Sequence, residues 1–357
     1  MDIEKILNRS ISGERVSIEE ARFLFYHASL FKLMAASHQK KLQHFGKKVY
    51  FIENVHLEPT NHCIYQCKFC SFHKNPFEKG YWNYSINDLL SFLENIPKSI
   101  TEIHITGGVH PDRDVYWYAN LLKKIKESYP KAYIKAFTAI EINFMCNKAG
   151  ISIEQGLKLL KESGLHSIAG GGAEILNDNI RAILCPEKGS SSLWISVHKT
   201  AHRLGILSNA TMLYGHIETI EQRLEHMNLI REIQDETNGF QAFIPLKFRN
   251  QHNFLSNIKE QTFLEDIKMF SIARLFFDNI PHIKAYWPMI GRDKAAFLLH
   301  AGVDDIDGTI YDSTKIYSMS GSEEQKPSIS KKELKNLIEK ENFIPVERDV
   351  FYNEIIN

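Results

Sequence analysis

The sequence predicts a (β/α)8 barrel. Eight β-patterned segments, helix-patterned segments between them and three clustered cysteines directly after the first β segment carry that expectation. Strands alternating with helices from residue 50 onward are the pattern of a parallel α/β fold, and barrels of this kind place their active sites at the C-terminal ends of the strands. An open doubly wound sheet is the alternative topology.

The β segments are 50–58, 101–106, 132–139, 165–169, 208–214, 240–246, 282–288 and 303–311. Between them lie helix-patterned stretches. In 85–96, Ile86, Leu89, Leu90 and Leu93 fall on one helical face. Ser152 and Gln155 form a capping box ahead of Ile153, Leu157 and Leu160, with Gly164 where a helix C-cap glycine is expected. Similar stretches cover 114–129, 191–204, 219–236, 262–279 and 292–301. Ahead of the barrel, the first 45 residues read as helical, with a capping box at Ser17 and Glu20. Residues 318–330 read as a polar linker, and Ser330 with Glu333 opens a short C-terminal helix. The expected organisation is an N-terminal helical extension over 1–48, a barrel over 49–317, and a linker and helix over 318–357.

The chain has 357 residues, 43% hydrophobic and 24% charged, the balance of an ordinary globular protein. Lys plus Arg and Asp plus Glu are equal at 43 each, so no net field favours nucleic acid or an anionic membrane. No apolar run approaches the ~18 residues that a membrane span needs. Met1 to Arg9 lacks the basic stretch and apolar core of a secretory signal, so a cytoplasmic location is expected.

Of five cysteines, Cys63, Cys67 and Cys70 lie within eight residues, while Cys146 and Cys185 stand alone. An odd count in such a chain argues against a disulfide framework. The C-x3-C-x2-C spacing calls for a metal. Zinc sites usually take four tetrahedral ligands, whereas three thiolates leave one iron of a cubane without a protein ligand. A zinc knuckle or a set of redox-sensing thiols is the alternative, and Cys146 and Cys185 read as packing or surface residues.

With this loop the sequence resembles the radical S-adenosylmethionine (SAM) superfamily. Within it, the segment from Glu58 to Phe72 is similar to that of the aminofutalosine synthase family of menaquinone biosynthesis. So are Ile105–His110, Gly170–Glu174, Asn209–Thr219, Gln241–Pro245 and Asp304–Thr309. The likeness spans about residues 50 to 315 and extends to dehypoxanthine futalosine cyclases and to the tyrosine-using subunit of deazaflavin synthases. Two segments depart from the family pattern. Ala169 stands where a proline usually precedes the three glycines, and Lys247–His252 replaces a more proline-rich stretch near the expected substrate contacts.

The resemblance implies a [4Fe-4S] cluster on Cys63, Cys67 and Cys70, with SAM as co-substrate. It implies an adenosyl radical that adds to an aryl enol ether diacid, 3-[(1-carboxyvinyl)oxy]benzoate, and a low-potential donor such as flavodoxin or ferredoxin. Phe69, Gly107, Gly108, Glu141 and Gly171 are the expected SAM-binding residues. Gly107 and Gly108 offer bare backbone, and Glu141 a carboxylate for the ribose or amino group. Gly107 and Gly108 have a plain turn as the structural alternative, and Glu141 a solvated loop carboxylate. Glu174 and His216 are the expected catalytic residues, against the alternatives of a helix-terminal charge and a structural histidine. Asp304, Asp305 and Asp307 are expected at the eighth strand, at least one of them structural. A cyclase abstracting hydrogen from a nucleoside, and a non-catalytic Fe–S or zinc protein for binding or electron transfer, remain the other readings.

Overall fold

The computed structural model describes residues 1–312, 316–322, 324–325 and 327–356. Glu323 and Lys326 of the expected linker, and residues 313–315 at the end of the family likeness, lie outside the described residues.

Among the described residues eleven strands are assigned: β1 (Lys48–Ile52), β2 (Asn54–Leu57), β3 (Glu102–Ile105), β4 (Tyr133–Ala136), β5 (Ser167–Ile168), β6 (Leu207–Tyr214), β7 (Phe240–Lys247), β8 (His282–Ile283), β9 (Asp305–Gly308), β10 (Tyr311–Asp312) and β11 (Ile344–Glu347). The main sheet runs β10-β2-β3-β4-β5-β6-β7-β8, and β1 lies between β11 and β9 in a second sheet. The paired strands are parallel, as in Val55 beside Ile103 and Ile103 beside Ile134. β1 and β2 are successive halves of one run, as are β9 and β10. A parallel bridge between Lys284 and Asp305 closes the ring, with the Ala285 amide donating to the Asp305 carbonyl at 2.9 Å. The barrel expected from the sequence is therefore formed, and each of the eight β segments contributes one strand position. Val55, Leu57, Ile103, Ile105, Ile134 and Ile168 are wholly buried, as parallel strands covered by helices require.

Two β segments end earlier than the sequence reading and pass into helix. The segment 282–288 leaves the ladder early, and Trp287–Ile290 is a helical turn with Pro288 in its first positions. Proline there sacrifices no helical hydrogen bond. The segment 132–139 ends as a strand at Ala136, and Ala139–Lys148 is a helix. Thr138 caps it: its side chain accepts from the Glu141 amide, while Glu141 accepts from the Thr138 amide. The same box signal marks Ser17 and Ser152, and it was present in the sequence here as well.

Helices Ile3–Ile11, Ile18–His27 and Leu30–Phe45 precede β1, and Lys331–Lys340 follows the barrel. The C-terminal region was expected to be linker and helix alone. It also supplies β11, whose pairing with β1 has no local sequence signal. Arg348, just beyond it, donates to Asp305 at 2.7 Å and anchors the chain end to the barrel base. Among the described residues no helix is long and apolar enough to cross a membrane.

Candidate active site

The cysteine loop is held from three sides. Toward β3, the Gly108 amide donates to the Thr60 carbonyl at 2.8 Å and the Ile64 amide to the Val109 carbonyl at 3.0 Å. Toward the turn after helix Asp178–Leu184, the Lys68 amide donates to the Leu184 carbonyl at 2.8 Å and the Gln66 amide to Glu187 Oε2 at 2.8 Å. Toward the loop after β7, Ser71 Oγ donates to the Gln251 carbonyl at 2.6 Å, and the Phe254 amide to the Lys68 carbonyl at 2.9 Å. Backbone groups satisfied this way fix the loop without using the cysteine side chains.

Gly108 is required by this docking, since a Cβ there would lie 2.4 Å from the His62 carbonyl oxygen. At Gly170 a Cβ would lie 2.5 Å from the Asn209 carbonyl oxygen, so bare backbone also serves the β5–β6 seam. The glycines thus have a packing reason for their identity. Gly107, Gly108, Gly170, Gly171 and Gly172 still present backbone to one cavity.

That cavity, of about 320 Å³, opens at the C-terminal ends of the strands. The structure brings Cys63, Cys67, Cys70, Phe69, Gly107, Gly108, Glu141, Gly171 and Glu174 onto its wall together. Glu141 is buried, and its carboxylate takes the Thr138 amide at 2.7 Å and the Gly107 amide at 3.2 Å. It is therefore no solvated loop carboxylate: it ties the start of its helix to the turn after β3. Burial pushes its pKa up to about 7 against those hydrogen bonds.

Glu174 adopts a left-handed φ of 46°, rare for a side-chain-bearing residue, and pairs with Lys188 at 2.8 Å. Lys188 also stands over the Phe69 ring. Burial pushes the thiols of Cys63 and Cys67 up, and in both cases the nearby Lys188 ammonium opposes it. Burial would lower Lys188 itself, but Cys67, Glu174 and Cys185 hold it well above its ordinary value.

His216 does not reach this cavity. Its ring is buried in a cluster where Nδ1 lies 2.9 Å from Glu218 Oε2, with Arg223 donating to Glu218 Oε1 at 2.7 Å. Burial would raise the Glu218 pKa, but His216, Arg223 and the Gly215 amide together hold it at about 2. The geometry thus gives His216 a structural setting below the mouth. Asp304 is likewise turned away, between Arg274 and His282, and Asp305 faces Arg348. Of the three aspartates at the eighth strand, Asp307 lines the cavity.

The floor was not legible in the sequence. It is polar and buried: Lys135 pairs with Glu102 at 2.7 Å, Lys284 with Asp307 at 3.0 Å, and His56 stacks on His104 at 4.6 Å between ring centres. Burial lowers His56 to about 4 and His104 well below its ordinary value, so both rings are neutral at physiological pH. In single-strand patterns these residues look like scattered polar positions, and only barrel closure brings them face to face. Between floor and cysteine loop the wall is apolar, with Leu213, Ile244, Leu246, Phe248 and Met289.

Comparison with known proteins agrees with this architecture. The Radical SAM superfamily model matches residues 57–230, and the CofH/MqnC C-terminal region model matches residues 237–355. The chain is 39% identical to the aminodeoxyfutalosine synthase of Thermus thermophilus, over 98% of this chain and 95% of that one. The chain belongs to the radical SAM superfamily. This radical SAM protein is also 36% identical to the 5-amino-6-(D-ribitylamino)uracil–L-tyrosine 4-hydroxyphenyl transferase of Methanocaldococcus jannaschii, over 95% of this chain and 97% of the relative. It is 33% identical to the cyclic dehypoxanthine futalosine synthase of Streptomyces coelicolor, over 99% of this chain and 89% of the relative. In fold it matches methylornithine synthase with a TM-score of 0.76 at 18% identity, covering 95% of this chain and 97% of that one. It is an enzyme of the radical SAM type, and the superfamily implies a [4Fe-4S] cluster and SAM.

The residues present fit such a cluster. Cys63, Cys67 and Cys70 face one cavity from one loop, and among the described residues no three His, Cys, Asp or Glu side chains are grouped to hold a single metal ion. Three thiolates from one loop are a ligand set that leaves one iron of a cubane open, whereas a structural zinc takes four.

Proposed function

We propose that this protein joins the 5′-deoxyadenosyl group of SAM to 3-[(1-carboxyvinyl)oxy]benzoate, with loss of a carboxylate, to give 6-amino-6-deoxyfutalosine. The observation that carries the reading is the layering of the cavity: cysteine loop at the mouth, apolar waist, and a floor of ion-paired lysine and neutral imidazole donors. An aryl enol ether diacid has a matching layout, an apolar ring between two anionic ends. The likeness to the Thermus aminodeoxyfutalosine synthase over nearly the full length supports the same reading.

Cys63, Cys67 and Cys70 would hold the cluster, which when bound supplies the electron that opens SAM at its C5′–S bond. The chain's own residues then do the rest. Gly107 and Gly171 offer backbone to SAM, and Glu141, poised near neutral pH, accepts hydrogen bonds from its ribose or pairs with its ammonium. Leu213, Ile244, Leu246 and Phe248 exclude water and clamp the aromatic ring. Lys284 and His104 donate to the carboxylate that reaches the floor. Holding the alkene close to C5′ favours addition over hydrogen abstraction. A closed apolar site matters more here than a general base.

Anaerobic incubation with SAM, a low-potential reductant and the enol ether, followed by mass spectrometry, tests this. Aminofutalosine as the main nucleoside supports it. Release of 5′-deoxyadenosine with cyclisation of dehypoxanthine futalosine, and no reaction of the enol ether, replaces it with the cyclase reading.

A further inference from the structure

The cations at the cavity floor are already paired. Lys135 lies 2.7 Å from Glu102 Oε1 and donates to its Oε2 at 2.9 Å. Lys284 donates to Asp307 Oδ1 at 3.0 Å, and Arg348 at the barrel base donates to Asp305 Oδ2 at 2.7 Å. Asp307 is not free to swing aside and release Lys284. Its backbone holds a left-handed φ of 65°, and its amide donates to Asp305 Oδ1 at 2.6 Å. A carboxylate reaching this floor therefore brings a charge that the pairs do not balance, and a buried charge without its counterpart is strongly disfavoured.

The groups on the floor that can still become cationic are the imidazoles of His56 and His104, stacked at 4.6 Å and 18°. His104 keeps part of its ring exposed on the cavity wall, and its Nδ1 is buried without a hydrogen-bond partner. We propose that His104 is the anion receptor of the floor: it takes up one proton from the medium as a ligand carboxylate arrives, and holds that carboxylate as an imidazolium. The inference rests on the reading of the cavity as a site for a carboxylate-ended substrate. It names the group that recognises the acid and the proton that accompanies it.

The groups facing His104 decide when it is charged. They are His56 on β2, Glu102 on β3, Lys135 on β4, Lys284 and Tyr286 beyond β8, and Asp307 on β9. With no carboxylate in contact, burial together with His56, Lys135 and Lys284 keeps the ring neutral. An anion in contact with the ring reverses that balance. His56 at stacking distance cannot take a second charge beside it, so the uptake is one proton and not two. No bond of the ligand breaks in this step. A neutral ligand of the same shape draws no proton, so the floor distinguishes an acid from its amide.

The test uses cluster-loaded full-length protein, saturated with SAM and kept without reductant, so that Glu141 is settled beforehand. Calorimetric titration with 3-[(1-carboxyvinyl)oxy]benzoate in phosphate and in Tris reads the protons exchanged. Wild type should take up about one proton per ligand, and its affinity should fall about tenfold between about pH 6.5 and 7.5. The benzamide analogue, which lacks the ring carboxylate, should show less uptake by about one proton. His104→Gln should bind the diacid about tenfold or more weakly, without the uptake and with a flatter pH profile, at unchanged SAM affinity. The wild-type pH slope and the amide comparison need no variant, so they hold if His104→Gln fails to fold. Diacid binding without uptake, uptake that persists in His104→Gln, or equal uptake with the amide would each overturn the proposal, as would no binding of the diacid. Uptake as expected with no aminofutalosine on reduction would keep this inference and remove the proposed function. Aminofutalosine formed without uptake would do the reverse.

Discussion

Lys188 donates to Glu174 Oε1 at 2.8 Å on the cavity wall, beside the Cys67 thiol. The pair joins the glycine-rich turn after β5 to the turn that docks the cysteine loop. It therefore ties the support of the cysteine loop to the Gly170–Gly172 turn through one ion pair. Lys188→Met should leave Glu174 without its partner and remove the cation nearest Cys67. The expected result is a more negative cluster reduction potential and slower SAM cleavage, with Lys188→Arg recovering much of both. An unchanged potential by anaerobic titration would show that Lys188 acts only in packing.

Cluster content tests the cysteine assignment directly. Wild-type protein should carry about four iron per chain. Cys63→Ala, Cys67→Ala and Cys70→Ala should each lose the cluster and SAM cleavage, whereas Cys146→Ala and Cys185→Ala keep both. Cys146 packs so tightly on Gly156 that a Cβ there would meet its sulfur, so its truncation should cost about 1 kcal/mol of stability by a small cavity. Iron loss in Cys185→Ala would move the ligand set.

Glu141 predicts a pH dependence. With its pKa raised to about 7 from 4.5, the folded protein resists ionisation there. Its contribution to stability is fully present below about pH 4.5 and is lost as pH rises toward 7. If its carboxylate accepts from the SAM ribose or ammonium, binding favours the ionised form, so SAM affinity should rise between about pH 6 and 8 with proton release. Glu141→Gln keeps the capping box, because glutamine serves at that position too. It should weaken SAM binding ten- to a hundredfold, about 1.5–3 kcal/mol, and flatten the pH profile. Calorimetry in buffers of different ionisation enthalpy measures both.

The floor can be separated from the mouth. Lys284→Gln should raise the KM for the enol ether diacid by about tenfold or more while leaving SAM affinity nearly unchanged. A melting curve guards against misreading, because Asp307 loses its partner in this variant. Equal losses for SAM and diacid would place the substrate carboxylate elsewhere.

His216→Ala should act on stability. The Glu218 carboxylate is held at about 2, so its contribution is present above about pH 4.5 and is lost as pH falls toward 2. Glu218→Gln should remove this acid-dependent part, a few kcal/mol in all, and shift the urea midpoint most at neutral pH. His216→Ala should lower the melting temperature and leave the ratio of aminofutalosine to 5′-deoxyadenosine as in wild type. A rise in uncoupled 5′-deoxyadenosine would return His216 to the site.

The local signals in this chain are strong where chemistry is local. The C-x3-C-x2-C loop, the glycine turns and the alternation of β and helical patterns each sit within a few residues, so the sequence by itself determined the barrel, the cluster loop and most of the cavity mouth. Where it was silent, the deciding contacts join residues far apart in the chain. Lys188 meets Glu174 and Cys67 only because the turn Pro186–Lys188 folds against the cysteine loop. His56, Lys135, Lys284 and Asp307 form one floor only because the Lys284–Asp305 bridge closes the ring. His216 reads as a mouth histidine by position, yet the tight bond to Glu218 turns its ring into the wall. Period and spacing specify which face of a strand or helix is buried, but which buried polar groups face one another depends on closure and register. That was decided by the tertiary structure, where each desolvated charge had to find its partner.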